Sequence, residues 1–431
     1  MMKQIISAGT IFLFAACASA QQDAIVAGST LTVNQCISIA LSNDPDIKAY
    51  DYTAQAQQAV LAQSKSAYYP TLNAEAGFNS NHADKLNALD PMASSIGNYD
   101  GKNAGLTLNQ LVFDFGKTPA AVSANRANLR SAKFNVDDQI VSVVDEVKRA
   151  YNAVVFAKLA LALSDEVVVQ YRQSLTYAQA HYDSKIRPKY DVTKAEADLS
   201  SAQLDNIKAR NNVLLAQAYL NNTMNLPEAP EFNVQASTEF VKYKIKFDDI
   251  ISAAYANKPD LLSLIAQADA QEEQLKYSRR DQYPALNAVA GYNFIGSQSP
   301  ISQGWNAGLN ITADIFTGMR KVSKVDEMDK RLKAMRSKID SLKLKIYLDA
   351  KDAFLNLAQY EQSNAAATDQ VRQTTENLEI SMLRYQTGLG SPVEISDAMV
   401  LYNNSKMELL QSLYQYQLAK AGIEKIMGNK Q

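Results

Sequence analysis

Asn43-Asp44-Pro45-Asp46 recurs as Asn257-Lys258-Pro259-Asp260. At the same offset of 214, Tyr69-Pro70-Thr71-Leu72-Asn73 recurs as Tyr283-Pro284-Ala285-Leu286-Asn287, and Gly77 as Gly291. Farther along the offset is 203, with Ala104-Gly105-Leu106 matching Ala307-Gly308-Leu309 and Tyr182 matching Tyr385. The 11-residue difference falls between Gly77 and Ala104, in a Ser/Asn/Gly-rich stretch that reads as a surface loop. A chain written twice folds as two copies of one unit, here of about 190 residues each. Repeat 1 is set at 21–225, a linker with Pro227 and Pro230 at 226–247, and repeat 2 at 248–431.

The hydrophobic period changes at the same places in both copies. Residues 34–67 and 248–281 carry helical Ala/Gln/Leu patterning, interrupted only by Pro45 and Pro259, until Pro70 and Pro284 end it. Alternation then takes over. Leu72, Ala74, Ala76 and Phe78 oppose Asn73, Glu75, Gly77 and Asn79, and the same holds for Leu286 to Phe294 in copy two. After the loop, Trp305, Ala307, Leu309, Ile311, Ala313 and Ile315 oppose Asn306, Gly308, Asn310, Thr312 and Asp314. In copy one the phase flips at Gln110-Leu111, as a bulge would make it. Strands are therefore expected at 71–80, 104–115, 286–295 and 305–316. Strands of about ten residues, apolar on one face and polar on the other, fit a barrel wall between lipid and water. The same alternation also suits an antiparallel sheet on a soluble core. Four strands do not close a transmembrane barrel, which needs about eight or more, so a barrel requires several copies of the chain. The residues alone allow two, three or more.

Thr118-Pro119 reads as a helix start, and no proline follows until Pro188. Ile140, Val147, Val154, Leu161, Val168 and Leu175 recur every seven residues, with Val143, Ala150, Ala157, Ser164, Tyr171 and Ala178 three places later. Sustained heptads of this kind argue coiled-coil packing. Copy two repeats the plan from about Arg320 to Thr387 along a seam of Ala350, Leu357, Asn364, Val371 and Leu378. The first helices and the return helices, near 190–224 and 393–427, are half as long. Two of them end to end would match one long helix, at about 1.5 Å per residue.

The N-terminus reads as an export signal over residues 1–20. Basic Lys3 precedes the apolar run Ile5–Ala16, and Ala18-Ser19-Ala20 offers the small residues of a cleavage site before Gln21. Phe14-Ala15-Ala16-Cys17 also resembles a lipoprotein box, with Phe14 where leucine is usual, which would leave Cys17 as the acylated first residue. Past the signal only Cys36 remains besides Cys17, so no disulfide framework is available. A net charge of −2 gives no electrostatic footprint for nucleic acid. No later run of about 18 apolar residues would cross a membrane as a helix.

His82 and His181 are the only histidines, and neither has a Cys or His partner at ligand spacing, so no metal is expected. Phosphate loops, nucleophile elbows and metallo-hydrolase helices are absent, which leaves an enzyme or cofactor reading without residues.

The export signal, the duplicated helix–strand–strand–helix–helix unit and Tyr-Pro before the first strand together resemble the TolC-like outer-membrane efflux family. The turn Tyr385-Gln-Thr-Gly388-Leu-Gly390-Ser391-Pro392-Val393-Glu394-Ile395-Ser396-Asp397 is the strongest local match. The resemblance implies a mixed fold of α-helix with transmembrane β-strand. Four strands per chain would enter a shared trimeric β-barrel above a long coiled-coil helical barrel in the periplasm. It implies a passive exit duct in the outer membrane that serves tripartite efflux or type I secretion. Its partners would be outer-membrane lipid, a periplasmic adaptor and an inner-membrane transporter, with no nucleic acid. It also places Glu394 and Asp397 as acids facing the lumen, and Tyr385 and Asp191 as aperture-closing partners. The arginine such links use falls at Gly390 here, and Arg187 occupies the same repeat position in copy one.

Each of these residues has a plainer reading. Ser391-Pro392-Val393-Glu394 is a capping box, Gly388 a helix C-cap, Asp191 a first-turn acid and Arg187 a solvated charge. A soluble periplasmic scaffold or adaptor built on coiled-coil hairpins is the alternative function. It would share the signal and long helices, but would need neither two amphipathic hairpins nor Trp305 at the start of one.

Overall fold

The computed structural model describes residues 28–83, 97–228, 230, 232–235, 240–296 and 302–430; Cys17 and the expected signal lie outside them. A short strand β1 (Thr30–Leu31) leads into α1 (Val33–Asn43) and α2 (Pro45–Lys65). Thr32 and Gln35 cap α1 reciprocally. Pro45 is the first residue of α2, where its missing N–H costs nothing, and Asp44 caps that helix by accepting from Ile47 N at 2.7 Å. Next come β2 (Thr71–Ala83), β3 (Gly97–Phe113), α3 (Lys117–Asp183) and α4 (Lys189–Thr223). The linker contributes β4 (Asn233–Val234). Copy two then repeats the order as α5 (Phe247–Asn257), α6 (Pro259–Arg280), β5 (Ala285–Gly296), β6 (Ser302–Thr312), α7 (Arg320–Gln386) and α8 (Pro392–Ile426).

Length matching holds in the structure. Both α3 and α7 have 67 residues, and both α4 and α8 have 35. A 67-residue helix spans about 100 Å. The largest core cluster surrounds the middle of α3, where Val143, Val147, Ala150 and Val154 meet Cys36, Ile37 and Ala40 of α1 and Leu220 of α4. The linker closes over this cluster. β1 and β4 pair in parallel, and the Tyr151 hydroxyl lies 2.9 Å from the Gln235 carbonyl and 3.2 Å from that of Leu31. The polar member of the copy-two seam is satisfied, since Asn364 Nδ2 donates to Ser412 Oγ at 3.2 Å. Burial pushes the Cys36 thiol up to about 11, which makes it an inert core residue.

The four longer strands form one antiparallel sheet in the order β2-β3-β5-β6. Register aligns the apolar positions in rows, such as Ala74–Leu106–Tyr292–Trp305 and Leu72–Leu108–Ala290–Ala307. The face they make is uncovered, with Trp305 78% and Ile311 73% exposed. A sheet on a soluble core would bury it. β3 carries an irregularity between Leu111 and Phe113, one residue past the phase flip seen in the sequence, and Val112 is the extra residue. β6 ends at Thr312, short of the expected 316.

The start of α3 differs from the sequence expectation. Thr118 is inside the helix and Gly116 is the N-cap residue. Asp114 supplies the acceptor instead, taking Thr118 N at 2.6 Å and Gly116 N at 3.1 Å. It can do so because Phe115 and Gly116 are both left-handed (φ 54° and 85°), which folds the chain back over the carboxylate. Gly318 and Met319 repeat this pair before α7 (φ 58° and 65°).

Candidate functional site

Far from the sheet, each long helix reverses into its return helix through a turn of a few residues. Gly388 ends the α7 turn with φ 78°, and its repeat counterpart Lys185 adopts φ 59° at the end of α3. Helix C-termini favour a left-handed residue here because it lets the last carbonyls accept from the turn. Leu389 N and Gly390 N both donate to the Arg384 carbonyl at 2.8 Å, and Ile186 N donates to that of His181 at 2.9 Å.

The two tips touch, and the contact gathers three of the residues expected from sequence. Tyr385 is 1% exposed, packed with Leu378, Ile395, Ala398, Met399 and Tyr402. The His181 ring meets it edge-on at 5.3 Å. Its counterpart Tyr182 in copy one is 40% exposed, so the duplication is broken at this point. Asp191, in the first turn of α4, is 4% exposed. Neither Tyr385 Oη nor Asp191 Oδ2 finds a hydrogen-bond partner in the chain. Burial pushes the Tyr385 hydroxyl above its ordinary pKa; the Asp191 charge adds to this and Arg187 opposes it. Arg187 reaches across the two copies, where Nη2 donates to the Gly390 carbonyl at 2.5 Å and the Gly388 carbonyl at 3.1 Å. Gly390 itself leaves no room for a side chain, since a Cβ there would stand 2.9 Å from Tyr385 N.

Glu394 and Asp397 sit apart from that cluster, exposed on the first turns of α8. Ser391 Oγ accepts from Glu394 N at 3.2 Å, which is half of a capping box. The Glu394 carboxylate turns instead toward Arg384, 3.4 Å away. Higher up, two inter-copy links escaped the sequence reading. Ser396 donates to Asp198 at 3.2 Å beside Lys194, and the Tyr402 hydroxyl donates to Glu166 at 2.7 Å. They join residues 198 and 236 positions apart in sequence, and no local pattern announces either. Among the described residues no cluster of His, Cys, Asp and Glu is arranged to hold a metal, and no helix is long and apolar enough to cross a membrane.

A family profile described as outer membrane efflux protein matches residues 36–226 and 250–429, which takes in both copies and both tips. The chain belongs to this family. Members of the outer membrane efflux family are channel proteins of the outer membrane. The chain is 21% identical over 409 residues to the outer membrane protein TolC of Escherichia coli, covering 90% of this chain and 80% of that one. It is 29% identical to TolC of Vibrio cholerae over 163 residues, an alignment that spans only 36% of each. The solved structure of CusC superposes with a TM-score of 0.81 at 18% identity, over 92% of this chain and 91% of that one. That likeness fixes the fold, long helices and strands alike, as the one seen in CusC.

Proposed function

We propose that this chain is the outer-membrane exit duct of a tripartite efflux or type I secretion system, passing substrate from an inner-membrane transporter to the exterior. One observation carries the reading beyond family membership. A four-stranded sheet with an uncovered apolar face stands directly on paired helices about 100 Å long. Four strands require further copies to close a barrel, and three copies would give a shared wall above a helical tunnel. Lipid then covers the face that carries Trp305 and Leu309, while Asn and Gly residues line the lumen. A soluble scaffold has no use for such a face.

The tips are the end that meets a periplasmic adaptor and transporter. Arg187 ties the copy-one turn to the copy-two turn, and buried Asp191 and Tyr385 lie beneath that tie. Glu394 and Asp397, three residues apart on one helix face, present acid to the tunnel mouth.

Ion conductance of the detergent-extracted protein in a planar bilayer tests this, comparing wild type with Glu394→Ala/Asp397→Ala. A stable cation-selective current that loses selectivity in the double variant supports the duct and the lumenal acids. Current with unchanged selectivity returns Glu394 and Asp397 to helix capping and ion pairing. Protein that is washed from membranes by alkali and never conducts would leave the scaffold reading.

A further inference from the structure

The sheet has two free edges, β2 on one side and β6 on the other. On its polar face, glycine and asparagine pair across every strand boundary within the chain. Gly77 of β2 lies opposite Asn103 of β3, Gly105 of β3 opposite Asn293 of β5, and Gly291 of β5 opposite Asn306 of β6. In each pair the amide lies over the glycine of the preceding strand. A Cβ on Gly77 would stand 2.5 Å from Asn103 Oδ1, and one on Gly291 would stand 2.6 Å from Asn306 Oδ1. Gly105 is covered as tightly by Asn293. These glycines make room for a neighbouring side chain, the close approach that glycine in a strand commonly marks.

Gly308 of β6 continues the series but has nothing within 4 Å. The duplication identifies what should cover it. β6 repeats β3 at an offset of 203, and β2 repeats β5 at 214, so the Gly105–Asn293 contact translates into Gly308 against Asn79 of another copy. The other side of Asn79 agrees, since it lies opposite Gly101 on β3 just as Asn293 lies opposite Gly304 on β6.

We propose that the Asn-over-Gly ladder runs on from chain to chain, with Asn79 of one copy seated on Gly308 of the next, and that this fit sets the register of the subunit seam. The inference rests on the shared barrel proposed above. In this register Leu309 faces Phe78 of the neighbour, the translation of the internal pair Leu106–Tyr292, and Ile311 faces Ala76, the translation of Leu108–Ala290. Leu309 and Phe78 are 68% and 62% exposed in the single chain. Side-chain alternation alone rejects a slip of one residue but tolerates a slip of two. The ladder rejects one such slip and the lipid face disfavours the other. A two-residue slip one way sets Gly308 against Gly77, glycine facing glycine; the other way leaves an asparagine, Asn81, opposite Gly308 but sets Leu309 against the polar Ser80 on the lipid face.

Cysteine cross-linking of the full-length protein in outer membranes tests the register, with Cys36 left in its buried place. Under copper-phenanthroline oxidation, Phe78→Cys/Leu309→Cys is expected to give at least about five-fold more covalent dimer and trimer than Ala76→Cys/Leu309→Cys or Ser80→Cys/Leu309→Cys, because directly opposed Cβ atoms are about 5 Å apart and diagonal ones about 7 Å or more. Preference for either offset pair overturns the register while the shared barrel stands. Failure of all three pairs in a protein that sediments as a monomer in detergent removes the barrel as well. Gly308→Ala provides the second arm. It is expected to lower the temperature at which the oligomer dissociates, whereas Gly304→Ala, where open space remains in the chain, leaves it unchanged. Equal behaviour of the two variants overturns the ladder.

Discussion

Arg187 and Gly390 occupy the same position in the two repeats, and the guanidinium of the first hydrogen-bonds to the carbonyl of the second. The duplication has thus diverged into a donor on one tip and a side-chain-free acceptor on the other. Hydrogen bonds to a charged donor contribute about 1.5–3 kcal/mol, and partial exposure at the tip brings this to the low end. Arg187→Ala is expected to raise the open-channel fraction several-fold in single-channel recordings, with Arg187→Lys in between. An unchanged open fraction would mean that the tie carries no load.

The left-handed residues at the two turns predict opposite effects from opposite substitutions. Gly388→Ala places a Cβ in a conformation that costs about 1–2 kcal/mol, so thermal stability should fall. Lys185→Gly removes the same strain and should raise it. Differential scanning calorimetry of both variants checks the pair, and a gain from Lys185→Gly is the more demanding half.

Tyr385 holds its proton more tightly when folded, because burial and the Asp191 charge disfavour the phenolate. Stability from this source is complete below the ordinary phenol value of about 10 and is lost as pH rises through the higher folded-state value. Tyr385→Phe is expected to flatten the alkaline fall in melting temperature. Its hydroxyl has no partner in the chain, so the loss near neutral pH should stay below about 1 kcal/mol.

At the junction of sheet and helices, Asp281 is bonded by Lys117 and Lys321 together. Burial acts to raise its carboxyl, but the two lysines outweigh it and hold the pKa below the ordinary value. The stability this gives is present above about pH 4 and lost as pH falls through the lower folded-state value. Urea unfolding midpoints between pH 5 and pH 3 should show a steeper acid loss for wild type than for Asp281→Asn.

Where the sequence could be read, it was through period and punctuation. The heptad from Ile140 to Leu175 and the prolines at 45, 188 and 259 mark real helices and breaks, because backbone propensity and apolar spacing are local properties. The phase flip at Gln110 anticipated the bulge within two residues. The cap of α3 is not legible in the residues, because it depends on Phe115 taking a left-handed conformation that a bulky residue rarely adopts. Of the tip, the residue types were legible and their pairing was not. Asp191, Tyr385 and Arg187 come together from two copies, whereas Glu394 turns to Arg384, a choice made by rotamer and distance.

Equal length in α3 and α7 turns the chain into a gauge. Seven residues inserted into one of them would push its turn about 10 Å beyond the other, pulling Arg187 off Gly390 and leaving Tyr385 without its cover. Any change in the reach of the tips must therefore be made in both copies at once, and by whole heptads. The distance from sheet to tip is written into the protein as a number of helical turns that neither half can revise alone.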